Sequence, residues 1–372
     1  MTFPFPVFEL DATDAFERGR QHGELAQNQI QALLNTYKQI FRDFVGVEWS
    51  SARKIGQSYA EPIERYEPDY LQEIRGVAAG GGFDEEDILA LNARSEITFT
   101  AKLVDGCTAF AAFGRATPGE TTVLAQNWDW RRSLKDSVVV LRIKQKERPS
   151  LTMVTEAGII GKLGFNSSGL GVCLNALVTD RVEPGATPLH IVLRGILDAP
   201  TLSDAIGAAS RANISCAANY LVAQHGAGAV SIEAVPGGVD VLLPERDVVV
   251  HTNHLRSLRH VGAKDLGIQA FPDSPVRLAR ISRLTEEAHG RIDSEAATQM
   301  LRDHAGQPDS ICRHEDAFID HESVRIHSVF SLVMNLEHLS LQMTDGPPCK
   351  ASYHEYMPWP GEERAVLSLA SS

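Results

Sequence analysis

In Val104-Asp105-Gly106-Cys107-Thr108-Ala109-Phe110, one residue is placed to become both nucleophile and base. If the Gly106–Cys107 peptide bond breaks, Cys107 begins a new chain and carries a thiol and a free α-amine. A thiol titrates near pH ~8.5 and an α-amine near ~8, so close to neutrality part of the amine is able to accept the thiol proton. No separate histidine is then required. Glycine before the cysteine suits a junction whose backbone distorts to expose a scissile carbonyl. The ordinary alternative is a small cysteine buried at a strand start, and the sequence downstream raises the odds of the first reading.

Gln126-Asn127-Trp128-Asp129-Trp130 closes the next strand-like run, with Asp129 22 residues after Cys107. A hairpin between them returns Asp129 to the new amine, where a carboxylate orients the ammonium during proton transfer. The rival reading is a strand-end turn with two packed tryptophans. His251-Thr252-Asn253-His254 follows the apolar run 247–250. An asparagine projecting from a strand end is suited to donate its amide N–H to a developing oxyanion. The two histidines are alternative metal ligands, but no H-E-x-x-H and no neighbouring His/Glu cluster accompanies them, so no metal is expected. Arg313, in Ser310-Ile311-Cys312-Arg313, is suited to pair with a carboxylate, either Asp129 or one on a substrate; an exposed surface arginine is the alternative. Asn175 closes the apolar run Val172-Cys173-Leu174, facing a substrate or starting a turn.

These residues need elements to hold them. Ile30, Leu33, Leu34, Tyr37, Ile40, Phe41 and Phe44 recur at three- and four-residue spacing, which predicts a helix with one apolar face. A second helix is expected over 70–79, stopped by Gly80-Gly81-Gly82, and a third capped by Asp84. Near Cys107 the texture turns to short β-branched runs: 121–125, 137–143, 151–155 and 169–175. The glycine-rich stretch 164–171 reads as a hairpin turn. Helices follow over 189–198 and 201–212, then strands over 218–223, 229–234, 239–243 and 248–252. A second helix pair fits 275–289 and 294–304, and paired strands fit 324–335 and 338–343. Strands in blocks and helices in pairs predict α+β layering with two facing sheets, not alternating βαβ units.

The 372 residues carry a formal charge of −13, which argues against nucleic acid or an anionic membrane as partner. The basic stretch 256–259 is too short to reverse this. No signal peptide and no run of about 18 apolar residues is apparent, and five scattered cysteines fit free thiols in a reducing compartment, so a cytoplasmic location is expected. There is no Walker A loop, no strand–GxGxxG–helix unit and no G-x-S-x-G elbow.

Asp-Gly-Cys-Thr, Gln-Asn-Trp-Asp-Trp, Thr-Glu-Ala-Gly-Ile-Ile-Gly-Lys-Leu-Gly-Phe-Asn-Ser-Ser-Gly, His-Thr-Asn-His and Ser-Ile-Cys-Arg occur in that order. In this the chain resembles the acyl-CoA:isopenicillin N acyltransferase family over most of its length, and more distantly it is similar to choloylglycine hydrolases. The resemblance implies a four-layer αββα sandwich of the N-terminal-nucleophile hydrolase type. It implies self-cleavage between Gly106 and Cys107 into chains 1–106 and 107–372, which stay together as one domain. It makes Cys107 the nucleophile, sets Asp129 beside the amine, makes Asn253 the oxyanion donor and matches Arg313 to an active-site arginine. Asn175 and Gln126 match substrate-side positions; Gln126 stands where the choloylglycine relatives carry arginine. Ala109 replaces a second threonine of the acyltransferase, and the chain ends Leu-Ala-Ser-Ser rather than in a peroxisomal tripeptide.

The expected activity is therefore an acyltransferase or amidohydrolase that carries an acyl-thioester on Cys107 and passes it to an amine or water. No metal or prosthetic group is required, and an acyl-CoA thioester is a candidate cosubstrate. Two rivals stand beside it: a pure hydrolase of small N-acyl amides, and an uncleaved, noncatalytic small-molecule-binding protein of the same fold.

Overall fold

The β-branched runs that follow residue 105 pair into two sheets, and the apolar helix faces close over them. The structure is a computed structural model that describes residues 3–102, 105–259, 263–315 and 326–359. The first two residues of the strand expected over 324–335, and the terminal Leu-Ala-Ser-Ser, lie outside the described residues.

The first hundred residues supply strand β1 (Val7–Leu10) and helices α1 (Ala15–Leu25), α2 (Gln27–Ile40), α3 (Trp49–Gln57), α4 (Ala60–Tyr66), α5 (Pro68–Gly81), α6 (Glu85–Asn92) and α7 (Arg94–Phe99). Helix α2 buries Ile30, Leu33, Leu34, Tyr37 and Ile40, the face its spacing predicts. Helix α5 ends as expected, with Gly82 in the left-handed region. Asp84 stands at the N-cap position of α6 without a capping bond. Its carboxylate instead takes Arg53 Nη2 at 2.7 Å, an ion pair in place of the expected cap.

Strands β2 (Gly106–Gly114), β3 (Glu120–Trp130), β4 (Val138–Ile143), β5 (Leu151–Glu156), β6 (Leu163–Asn166) and β7 (Leu170–Ala176) follow. The glycine-rich stretch is thus more than a turn. Its first part pairs as β6 between β5 and β7, and Gly164 lies so close to Thr152 that an added Cβ would sit 2.1 Å from the Thr152 carbonyl oxygen. Helices α8 (Leu189–Leu197) and α9 (Leu202–Arg211) lead to β8 (Ala218–Gln224), β9 (Gly228–Val235), β10 (Gly238–Leu242) and β11 (Val248–His251). After α10 (Gly267–Ala270), α11 (Ser274–Glu287) and α12 (Ser294–Leu301), strands β12 (His327–Asn335), β13 (Ser340–Met343) and β14 (His354–Tyr356) complete the described chain.

One sheet runs β1-β4-β5-β6-β7-β8-β9-β10 and the other β11-β2-β3-β12-β13-β14. They face each other through β2 and β3 against β7, β8 and β9. Helices α8 and α9 pack on the first sheet, and α11 and α12 on the second, giving the expected αββα order. Among the described residues no helix is long and apolar enough to cross a membrane. The residues before Gly106 are structurally committed to those after it. Strand β1 pairs in parallel with β4, and Tyr37 and Arg94 both bond to Glu156 on β5.

Candidate active site

Strands β2 and β3 form the hairpin expected from the sequence. Its antiparallel register sets Gly106 opposite Asp129 and Cys107 opposite Trp128. Alternation along β2 sends Cys107, Ala109 and Ala111 into the large core, while Phe110 and Ala112 enter the smaller core under α11 and α12. Trp128 shares the large core with Cys107. Asp129 lies on the other face, where its Oδ1 accepts from Ser328 Oγ at 2.7 Å. Asp129 therefore meets Gly106 and the backbone of the junction, rather than projecting alongside the Cys107 sulfur. A Cβ built on Gly106 would lie 3.3 Å from Asp129 Cβ and 3.4 Å from the Phe271 ring. Gly106 has no positive φ, so what favours glycine here is space, not the backbone freedom expected from the sequence.

Asn253 follows β11 and is fixed from several sides. Its backbone N–H donates to Ser274 Oγ at 2.8 Å, and Thr252 Oγ1 donates to the Ser274 carbonyl at 3.0 Å. Gly267 lies close beneath it: an added Cβ there would sit 2.2 Å from the Asn253 carbonyl oxygen. The Asn253 side chain accepts the Cys107 N–H on Oδ1 at 2.9 Å and donates from Nδ2 to Ala176 O at 3.0 Å and Asp105 O at 3.4 Å. Its contact in the intact chain is thus with the backbone on both sides of the Gly106–Cys107 bond.

Arg313 lies 3.7 Å through Nε from Asp129 Oδ2, beyond hydrogen-bond reach, and its other nitrogens donate to Asp273 and Asp309. Asp129 Oδ2 and Arg313 Nε are both buried without a hydrogen-bond partner. The segment carrying Arg313 is held on β3 by Asn127, whose Nδ2 donates to Leu301 O and Ile311 O, each at 2.8 Å. Burial drives the Asp129 carboxyl above its ordinary range, with Arg313, Arg277 and the Ser328 hydroxyl pulling it back only in part. Burial also pushes the Cys107 thiol well up, and the Asp105 and Asp129 charges add to this against Arg277 and Lys162. In the intact chain Cys107 is a thiol, not a thiolate.

Asn175 and Gln126 are fully buried and occupied by protein partners. Asn175 Nδ2 donates to His251 O at 3.3 Å, and its Oδ1 accepts from Asn219 at 3.0 Å. Gln126 bonds both amide atoms to the Leu174 backbone, at 2.7 and 3.0 Å, and so clamps one sheet to the other. The histidines beside Asn253 are likewise engaged. His251 Nε2 faces Glu233 at 2.7 Å and Nδ1 faces Thr252 O at 2.9 Å, while His254 Nδ1 faces Ser274 Oγ at 2.7 Å.

Two groups escape the sequence reading. Arg277 on α11 is buried and reaches the Cys107 carbonyl at 2.6 Å, Thr108 Oγ1 at 2.9 Å and Asn253 Oδ1 at 2.9 Å. The available signal is its helical spacing with Ser274, Ile281 and Thr285, which puts a charge on the inward stripe. The second group is Glu156 with Lys162, both inside the long quoted motif. Lys162 bonds to Glu156 and lies 3.5 Å over the Trp128 ring, while Trp128 Nε1 donates to Asp105 Oδ2 at 2.6 Å. Burial lowers Lys162 to about 8, with Glu156 opposing and Arg94 assisting.

A profile described as acyl-coenzyme A:6-aminopenicillanic acid acyl-transferase matches residues 116–339, more than half of the sequence. The chain belongs to this acyltransferase family. The match includes Gln126, Asp129, Asn175, Asn253 and Arg313 and begins after Cys107. The chain is similar to the 40 kDa form of acyl-coenzyme A:6-aminopenicillanic-acid-acyltransferase from Emericella nidulans, at 28% identity over 80% of this chain and 82% of that protein. Among solved structures it is similar to a mutant conjugated bile acid hydrolase from Clostridium perfringens, with 11% identity, a TM-score of 0.45, and coverage of 67% and 96% of the two chains. It is also similar to penicillin V acylase from Agrobacterium tumefaciens, with 12% identity, a TM-score of 0.42, and coverage of 64% and 83%.

Proposed function

We propose that this acyltransferase-family chain is an autoproteolytic enzyme whose nucleophile, after cleavage, is the N-terminal Cys107. What carries the reading is the convergence on one backbone nitrogen. Asn253 Oδ1 takes the Cys107 N–H at 2.9 Å, and the strand register puts Asp129 opposite Gly106 with one carboxylate oxygen unpartnered. In maturation, Cys107 Sγ attacks the Gly106 carbonyl carbon and the Gly106–Cys107 C–N bond breaks, leaving a thioester and a free α-amine. Water then hydrolyses the thioester and releases the Gly106 carboxylate.

The new α-ammonium replaces one neutral N–H with three donors: one keeps the bond to Asn253 Oδ1, and another is assigned to Asp129 Oδ2, which the register sets opposite Gly106. Its neutral form takes the thiol proton as the sulfur attacks an acyl carbonyl, and returns it to the leaving group. When the Asp105 carbonyl moves away, the Asn253 N–H that faces it is free to stabilise the tetrahedral oxyanion. Arg277 holds the Asn253 oxygen and the Cys107 carbonyl, so it positions both groups. The acyl-thioester then passes to an amine or to water. Family membership favours an acyl-CoA thioester as donor and an amine as acceptor; hydrolysis is the same chemistry with water in the acceptor's place.

Intact mass of the purified protein tests this. Two associated chains of 106 and 266 residues, the second beginning at Cys107, are expected without added protease. A single uncut species that turns over acyl donors would refute it.

A further inference from the structure

Away from Cys107, four side chains from three separate segments converge. His304 follows α12, Cys312 and His314 flank Arg313, and Cys349 lies between β13 and β14. One ligand atom from each lies within 4.8 Å of all the others. His314 Nε2 is 3.1 Å from His304 Nε2, 3.3 Å from Cys349 Sγ and 3.6 Å from Cys312 Sγ. A single ring nitrogen has either one N–H or one lone pair, so these three contacts compete for it.

A central cation resolves this competition. With metal–sulfur bonds of about 2.3 Å and metal–nitrogen bonds of about 2.0–2.1 Å, a tetrahedron has edges of about 3.3 Å between nitrogens and about 3.6 Å between nitrogen and sulfur. The three separations at His314, 3.1, 3.3 and 3.6 Å, lie close to those edges, and all four ligand atoms stay within 4.8 Å of one another. Two thiolates and two imidazoles select a borderline-soft, tetrahedral ion over magnesium or calcium. We infer that His304, Cys312, His314 and Cys349 form a structural zinc site that ties the end of α12, the Arg313 segment and the β13–β14 connection together. With four protein ligands the site is closed, so it is not a place for substrate or activated water. Its consequence for the acyltransferase is positional: two of its ligands bracket Arg313, whose guanidinium faces Asp129. Sequence spacing does not reveal it, because the four ligands follow no C-x-x-C or H-x-x-x-H pattern.

The test is elemental analysis of the full chain purified without chelator, alongside Cys349→Ser and His304→Ala. Both substituted positions are exposed, so neither change opens a cavity in the core. One zinc per chain is expected in the parent protein and a loss of most of it in each variant. Reconstitution with cobalt(II) should give the parent a tetrahedral, thiolate-ligated absorption spectrum that both folded variants lack. Zinc well below one per chain with no such cobalt spectrum would overturn the inference. So would folded variants that keep the parent's zinc, or a Cys312–Cys349 disulfide in protein purified under reducing conditions.

Discussion

Glu156 and Asp129 are both carboxylates sealed from water on strands near Cys107, and their surroundings treat them in opposite ways. Burial works against charge on Glu156, but Arg94 and Lys162 outweigh it and hold the group at about 2. Its oxygens are saturated by Tyr37, Arg94 and Lys162. Asp129 has one hydroxyl donor and an arginine just out of reach, and burial raises it. A saturated carboxylate locks structure, because moving any partner strands a charge. An unsaturated one retains the capacity to take a new cation. The comparison gives Glu156 the role of holding the N-terminal helices on β5, and fits the proposed role of Asp129 in receiving the α-ammonium.

Replacing the two residues in turn sharpens the contrast. Glu156→Gln leaves the buried Arg94 and Lys162 only the more distant Asp105 carboxylate, 3.6 Å from Arg94, as counter-charge, and should cost roughly 3–5 kcal/mol, read by urea unfolding. The same carboxylate sets an acid limit. Its folded value lies below the ordinary 4.5, so its stabilisation is complete above that pH and disappears as pH falls from 4.5 toward 2. In Glu156→Gln the part of the stability loss that belongs to that window should be missing. Equal stability of parent and variant at neutral pH would remove the structural role given to Glu156.

Asn253→Ala tests the residue that bridges the junction. In fully processed protein, kcat should fall about a hundredfold or more, the usual cost of one oxyanion donor. Parental kcat in a fully processed variant would assign the donor elsewhere. Asp129→Asn should change stability least, since it removes a buried charge with few partners and keeps the Ser328 bond. Turnover should still fall about tenfold to a hundredfold, for one charge-assisted hydrogen bond lost from the ammonium. A large loss of stability with unchanged turnover would make Asp129 a second Glu156.

Much of the framework was legible because it is written in local pattern. The apolar stripe of α2, the Gly82 stop and the β-branched runs of β4, β7 and β9 each follow from near neighbours. What escaped was decided by distant partners. Strand β1 forms because Val7–Leu10 finds Val140–Ile143 in parallel, and β6 forms because Gly164 permits close approach to β5. In the site, a hairpin returning Asp129 toward the junction was one of two readings the spacing offered, whereas Arg277 reaches Cys107 across 170 positions from an unremarkable helix. Gln126 and Asn175 match substrate-side positions in the sequence, yet the side-chain amide of each bonds to protein groups.

The central claim is that the Cys107 α-amine is the base, however it is exposed. A chain beginning at Cys107, freed from an engineered leader and coexpressed with residues 1–106, separates this from self-cleavage. Its rate is then compared with that of the same assembly bearing one extra residue before Cys107. Full turnover is expected with the free amine and near-complete loss with the extra residue, whose amide cannot accept the thiol proton. Full turnover with the extra residue in place would contradict it and leave Cys107 in need of another base.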